Sequence, residues 1–439
     1  MAAENFPKRQ IIAQRQIDSL RGLLRAIVPD NPFYAAKYDA AGVPGRVVHL
    51  GDFYSRFPFT TKAELVADQS ENPPYGTNLT FPLERYTRCH QTSGTGGSPI
   101  RWLDRAEDWE WMLGSWDIIY RAAKVSPGDA VFFAFSFGPF IGFWLAFEAA
   151  VRLGCRCIPG GGMSSAARVR AILDHQAKVL LCTPTYALHL AEVAAKEGWD
   201  LSTSAVRTII VAGEPGGSIP ATRARLEAAW PGARVVDHHG MTEVGPVTFE
   251  CPVREQVLHV IESSYVAEII DPATGEHVAT GELGELVLTT LGRTGSPLLR
   301  YRTGDLVRSA LDTICECGRS DLALEGGILG RTDDMVCVRG VNVYPSAVEA
   351  VLRQHGGVTE YQVEVSESGA MTELTLRVEP AAVSADSGKL SGELESALQT
   401  ALSLRIPVVV VAEGSLPRFE MKARRWHRNS DAAESKIEQ

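Results

Sequence analysis

Apolar positions fall at helical spacing over residues 6–28, where Ile11, Ile12, Ile17, Leu20, Leu23, Leu24 and Ile27 share one face, so an amphipathic helix is predicted to begin the chain. Asn31-Pro32-Phe33-Tyr34 stops it. After a second helical stretch, Phe57-Pro58-Phe59-Thr60-Thr61-Lys62 introduces another helix, with Thr61 as N-cap and Glu64 at the capping-box position. Farther on the period alternates: helix 109–123, strand 130–135, helix 141–153, strand 156–158, helix 166–175, strand 179–182, helix 186–196 and strand 208–211. Strands separated by helices of this length predict a parallel sheet with right-handed crossovers.

The pattern changes after Cys251. Short alternating runs, 265–270 and 284–290, are punctuated by Asp271-Pro272-Ala273-Thr274-Gly275 and predict antiparallel structure. From residue 336 a strand, a helix at 346–355, strands at 361–365 and 373–378, a helix at 389–402 and a strand at 408–411 predict a separate α+β unit. The expected fold class is therefore α/β. A large N-terminal domain (1–332) holds the parallel core and an antiparallel subdomain at about 251–330, and a small α+β domain (333–439) follows.

One stretch requires a membrane test, because residues 130–147 carry no charge over 18 positions. Gly138-Pro139 and Gly142 interrupt it, so it is read as a buried strand, a tight turn and a buried helix. With 439 residues, 45% of them hydrophobic and 22% charged, the chain is long enough for two or three cores. The net charge of −10 excludes the basic face that a nucleic acid requires. The first sixteen residues carry Glu4, Lys8, Arg9 and Arg15 and have no apolar core, so no secretory signal is expected, and the location is expected to be cytoplasmic.

Eight cysteines in such a compartment are free thiols or metal ligands rather than disulfides. Cys251, His259, Cys315 and Cys317 form a Cys-x7-His followed by Cys-x-Cys, a donor set that suits closed tetrahedral zinc of the structural kind. Unpaired buried thiols are the other reading, because the spacing is not that of a standard finger.

Thr92-Ser93-Gly94-Thr95-Gly96-Gly97-Ser98-Pro99 is dense in glycine and hydroxyl groups, as a loop that turns backbone N–H groups onto phosphate oxygens must be. It is not a Walker loop, since the Gly-Lys-Ser/Thr ending is missing. On local sequence alone, a solvated linker reads as well.

Further segments change that balance. They are Ala212-Gly213-Glu214-Pro215, Asp237-His238-His239-Gly240-Met241-Thr242-Glu243, Tyr301-Arg302-Thr303-Gly304-Asp305-Leu306, Gly330-Arg331-Thr332-Asp333-Asp334 and Leu416-Pro417-Arg418-Phe419-Glu420-Met421-Lys422. In order and spacing they resemble the acyl-adenylate-forming superfamily. Residues 31–34 and 57–62, His90 before the loop, and Asp333-Asp334-Met335 leading to Arg339-Gly340-Val341-Asn342-Val343-Tyr344-Pro345 resemble its phenylacetate–coenzyme A ligase branch. The likeness spans essentially the whole chain.

The resemblance implies a two-step reaction: a carboxylic acid and ATP give an acyl-adenylate and pyrophosphate, and the thiol of coenzyme A then displaces AMP. It makes Lys422 the bridge between acid and α-phosphate, Glu243 the Mg²⁺ ligand and Thr242 an α-phosphate contact. Asp305 would accept the ribose hydroxyls, and Arg331 would touch ribose or phosphate. Gly213, Glu214, Pro215, Asp237, His238, His239, Gly240 and Met241 would line the nucleotide, and Ser93, Gly94, Thr95, Gly96 and Gly97 the phosphates. Asp333 would be the hinge of a mobile C-terminal domain.

Phe135 and Phe140, with Gly213 and Gly240, would border the acid, and an aromatic-lined slot suits an aryl carboxylic acid. Ordinary core packing explains those rings equally well. The sequence departs from the family at His239, where a tyrosine is usual, and in the loop, where Gly96 replaces a threonine and Ser98 a lysine. Expected partners are the acid, ATP and coenzyme A; the sequence leaves open whether the chain pairs as a homodimer. A carrier-protein pantetheine as acceptor, and a degenerate adenylate-binding homologue, are the alternatives the same residues leave open.

Overall fold

The computed structural model describes residues 6–43, 45–92, 99–332, 334, 336–338, 341–368, 371–381, 387–419 and 425–428. The expected sites Ser93, Gly94, Thr95, Gly96, Gly97, Asp333 and Lys422 lie outside the described residues.

Helices α1 (Arg9–Ile27), α2 (Pro32–Ala40) and α3 (Leu50–Arg56) lead the chain, and α1 buries Ile12, Ile17, Leu20, Leu23, Leu24 and Ile27, whereas Ile11, expected on the same face, is exposed. Ile17, Leu20, Leu23, Leu24 and Ile27 pack with Tyr34, Tyr38, Phe53 and Phe57 against Val266, Leu291 and Leu299, so the first helices are fastened to the later β structure. Helix α4 (Lys62–Glu71) has the expected capping box, Thr61 accepting from the Glu64 N–H and Glu64 from the Thr61 N–H. A two-stranded ladder of β1 (Arg88–Gln91) and β2 (Arg101–Asp104) flanks the glycine loop.

Helix α5 (Ala106–Ala122) precedes the alternating core: β3 (Ala130–Phe133), α6 (Ile141–Leu153), β4 (Arg156–Pro159), α7 (Ser165–Asp174), β5 (Val179–Cys182), α8 (Pro184–Lys196), β6 (Thr208–Val211), α9 (Pro220–Ala229) and β7 (Arg234–Asp237). The five strands pair in parallel in the order β4-β3-β5-β6-β7, as the alternation predicts. The uncharged stretch forms a strand, a turn and helix α6, which Gly154 ends in the left-handed conformation. Among the described residues no helix is long and apolar enough to cross a membrane.

Beyond β7 two short strands, β8 (Gly240–Met241) and β9 (Gly245–Pro246), close a hairpin. Antiparallel sheets follow, one of β10 (Thr248–Glu250), β11 (Val257–Val260) and β15 (Ala323–Glu325), the other of β12 (Tyr265–Ile270), β13 (Leu283–Thr290), β14 (Tyr301–Arg308) and β16 (Gly330–Arg331).

The last part contains β17 (Val336–Val338), β18 (Val341–Val343), α10 (Pro345–His355), β19 (Val358–Ser368), β20 (Met371–Pro380), α11 (Ser387–Leu402), β21 (Val408–Val410) and β22 (Trp426–Arg428). Its four-stranded sheet runs β21-β20-β19-β22, and its apolar side chains form their own cluster, into which α11 places Leu390, Leu394 and Leu398. The architecture is the mixed α/β one expected, with a parallel sheet, antiparallel sheets and a C-terminal domain.

Candidate functional site

In an open parallel sheet, ligands bind beyond the carboxyl ends of the strands. Here those ends deliver Phe135 after β3, Gly213-Glu214-Pro215 after β6 and Asp237 at the end of β7. Ser218 Oγ donates to Asp237 Oδ2 at 2.5 Å, and the Asp237 N–H donates to Glu250 Oε2 at 2.8 Å. A Cβ on Gly217 would stand 2.5 Å from the Asp237 carboxyl carbon, so glycine is needed for this approach. Burial above all pushes the Asp237 carboxyl up to about 7; the Ser218 hydrogen bond works in the opposite direction.

The next segment carries His239 to Asp305, whose Oδ2 lies 3.1 Å from His239 Nε2. Arg331 Nη1 donates to Asp305 Oδ1 at 2.8 Å, since β14 and β16 pair Asp305 with Arg331 in register. Three expected residues separated by up to 92 positions thus meet at one carboxylate that is 3% exposed (331 minus 239). The adjacent Gly304 has φ +77° and lies against the Arg331 guanidinium, a conformation and a closeness that both favour glycine.

Glu243 is also buried. Its Oε1 stands 3.5 Å from the Tyr301 hydroxyl and 3.5 Å from Lys62 Nζ, which comes from the first turn of α4. The turn that holds Thr242 and Glu243 is fixed from behind. Arg293, fully buried, donates to both their carbonyl oxygens at 2.9 and 2.8 Å and forms a two-point pair with Asp104 at 2.6 and 2.7 Å.

Other expected residues have local duties. Glu214 Oε1 accepts from the Thr185 N–H at 2.8 Å and so caps the first turn of α8. Gly240 pairs with Pro246, and a Cβ there would meet the Gly245 carbonyl at 2.8 Å, so the hairpin itself requires that glycine. His238 packs edge-on against Trp116, and burial lowers its ring to about 4, which keeps it neutral. Met241 pairs with Gly245.

Phe135 stacks on Phe143 at 4.1 Å between centroids, and Phe140 meets Phe143 edge-on at 6.2 Å. Phe135 is buried while Phe140 is half-buried, so this wall is only partly core. The Gln91 N–H donates to the Pro139 carbonyl at 2.9 Å, which ties the strand leading into the glycine loop to the aromatic turn. His90, one residue earlier, stacks on Trp109, and burial lowers it to about 4.

Sequence reasoning does not single out Ser218 or Arg293, and it quotes Lys62 and Tyr301 only as members of motifs, with no role at the site. Lys62 reads there as the start of a helix. Only its distance from Glu243 reveals the second role. Arg293, between Gly292 and Thr294-Gly295, has the signal of a charged residue in a glycine turn.

Residues 92–292 match the AMP-binding enzyme family, and residues 340–428 match the AMP-binding enzyme C-terminal domain. The chain is 34% identical over 382 residues to a phenylacetate-coenzyme A ligase of Thermus thermophilus, spanning 86% of this chain and 83% of that one. It is 33% identical over 422 residues to the phenylacetate-coenzyme A ligase of Escherichia coli, spanning 93% and 92%. The fold matches 2-hydroxyisobutyryl-CoA ligase in the postadenylation state with R3-HIB-AMP, with a TM-score of 0.91 and 31% identity over 98% of this chain and 92% of that one. Against the same ligase with 2-HIB-AMP and CoA in the thioesterification state the TM-score is 0.72, at 32% identity and the same coverage.

Proposed function

The chain belongs to the AMP-binding enzyme family, in the group of the phenylacetate-coenzyme A ligases, and we propose that the acid it joins to coenzyme A is a flat aromatic one. The enzyme is an acid–thiol ligase working in two steps, adenylation of the carboxylate by ATP and transfer of the acyl group to the thiol of coenzyme A. The observation that carries the site assignment is the meeting of His239, Asp305 and Arg331. A buried carboxylate that faces Arg331 and His239 is suited to a vicinal ribose diol, because a carboxylate offers two acceptor oxygens.

Asp237 and the glycine-rich approach around Gly213 and Gly217 border the adenine. Glu243 would hold Mg²⁺, a hard cation suited to a carboxylate oxygen. The residues fit that ion: Tyr301 and Lys62 both stand at 3.5 Å, so neither locks the carboxylate with a short bond. The cation supplies charge neutralisation for the triphosphate. Lys62 adds a positive charge beside it, Arg293 fixes the turn, and Lys422 and the glycine loop take the acid and phosphate contacts that the family assigns them. The unit 333–439 turns about Asp333 between the two steps.

Phe135 and Phe140 face a planar ring through stacked or edge contacts. Thioester formation with coenzyme A over benzoic, phenylacetic, cinnamic, aminobenzoic and 2-hydroxyisobutyric acids tests this reading. An aryl acid is expected to have the highest kcat/KM, whereas preference for the small hydroxy acid contradicts the aromatic pocket. A pantetheinyl carrier protein in the same assay is expected to be a poor acceptor.

A further inference from the structure

In the antiparallel part of the fold, the two β10-β11 hairpin residues Cys251 and His259 meet Cys315 and Cys317 from the loop between β14 and β15. One ligand atom from each of the four lies within 4.8 Å of the others. Cys251, His259 and Cys315 are buried and Cys317 is half-buried. Cys251 Sγ stands 3.7 Å from Cys315 Sγ, and Cys317 Sγ stands 3.5 Å from His259 Nε2.

Those separations have a chemical meaning. Bonded sulfurs would be about 2.05 Å apart, so this is no disulfide. At the tetrahedral angle, zinc–sulfur bonds of about 2.3 Å separate two sulfurs by about 3.8 Å, and a zinc–nitrogen bond of about 2.0 Å separates nitrogen from sulfur by about 3.5 Å. Both separations, 3.7 and 3.5 Å, match edges of a tetrahedron around one zinc ion, and the other four lie within 4.8 Å.

The surroundings are arranged for it. Cys315-Glu316-Cys317-Gly318 forms a tight turn in which the Gly318 N–H donates to the Cys315 carbonyl at 2.7 Å, with Gly318 at φ +84°. The Arg254 N–H donates to Cys251 Sγ at 3.3 Å. His259 Nδ1 lies 3.3 Å from the Asp321 carbonyl; donating there, it leaves the Nε2 lone pair for a metal. Its ring stacks on Phe249, which fixes the plane.

Apolar packing does little here. The buried apolar partners are Val257, Ala310 and Ala323, and the loop exposes Leu311 at 76% and Ile314 at 63%. We propose that Cys251, His259, Cys315 and Cys317 bind one structural zinc ion, which joins the β10-β11 hairpin to the loop after β14. Four protein ligands close the coordination sphere and leave no position for a substrate. Cys251 follows Glu250, the acceptor of the Asp237 N–H, and the loop follows the strand carrying Asp305. The ion thus joins the adenine side of the site to its ribose side.

Elemental analysis of the full chain, purified without added metal, is expected to find about one zinc per chain. Exchange with cobalt is expected to give the intense visible bands of a tetrahedral thiolate site. Cys317→Ser is expected to lose zinc on dialysis against a chelator that leaves the wild type loaded, and to melt at a lower temperature. Iron in place of zinc, a metal-free chain with the same melting temperature, or an octahedral cobalt spectrum would overturn the proposal. Because the spectrum and metal content are read on the unsubstituted chain, a variant that fails to fold does not remove the test.

Discussion

Asp237 is a carboxyl placed where it resists ionisation. Its folded value, pushed up by burial to about 7, exceeds the ordinary 3.8, so the protonated form is the one the fold favours. By linkage, this contribution to stability is fully present below about pH 4 and is lost as pH rises through about 7. Asp237→Asn keeps a neutral side chain, so its melting temperature should fall less than the wild type's between pH 5 and pH 8, as measured by calorimetry at each pH. Parallel curves would contradict the assignment. Such residues were legible because Asp237, His239, Asp305 and Arg331 stand in motifs. Ser218 and Lys62 were not, since a serine and a helix-opening lysine acquire meaning only from the 2.5 and 3.5 Å contacts that folding makes.

Among the elements, boundaries are sharp in the sequence where punctuation is chemical. Helix α6 runs over the residues the pattern predicts because Gly138-Pro139 precedes it and Gly154 caps it, and α4 begins where its capping box lies. Helix α9 and strand β7 were not predicted. Only Thr222, Arg223 and Leu226 of α9 are buried, too few for a helical stripe, and β7 is four residues ending in an aspartate. Strand β22 escaped too, because Trp426-His427-Arg428 looks like a basic tail until it pairs in parallel with β19 at Val363.

The Arg293–Asp104 pair belongs to this scale, since it ties β2 to the turn after β8. Arg293→Met would leave a fully buried carboxylate unpaired and release two carbonyls. A loss of about 3–5 kcal/mol in urea unfolding is expected, with a fall in adenylation rate. Unchanged stability would mean that Asp104 finds another partner.

At the scale of the molecule, the chain matches one relative much better in the postadenylation state than in the thioesterification state, with TM-scores of 0.91 and 0.72 at nearly equal identity. Sequence divergence does not separate those values; arrangement does. In this arrangement α10 packs on α9, and Arg425 pairs with Glu360 at 2.6 Å while its Nη2 reaches Thr185 of α8 at 3.5 Å. A swinging C-terminal unit must exchange the contacts with α9 and Thr185 for others, while the Arg425–Glu360 pair moves with it. Asp333→Pro stiffens the expected hinge, so acyl-adenylate should still form while thioester formation is abolished, as read in separate half-reaction assays. An undiminished second step would place the pivot elsewhere.

Residues from the glycine loop to Lys422 are expected to close around ATP and activate an organic acid. Acid-dependent exchange of labelled pyrophosphate into ATP measures this most directly. The wild-type chain should exchange label with an aryl acid present and not without it, and Lys422→Ala should cut that rate by about 10²-fold or more. Exchange that no acid stimulates, or that Lys422→Ala leaves intact, would contradict it.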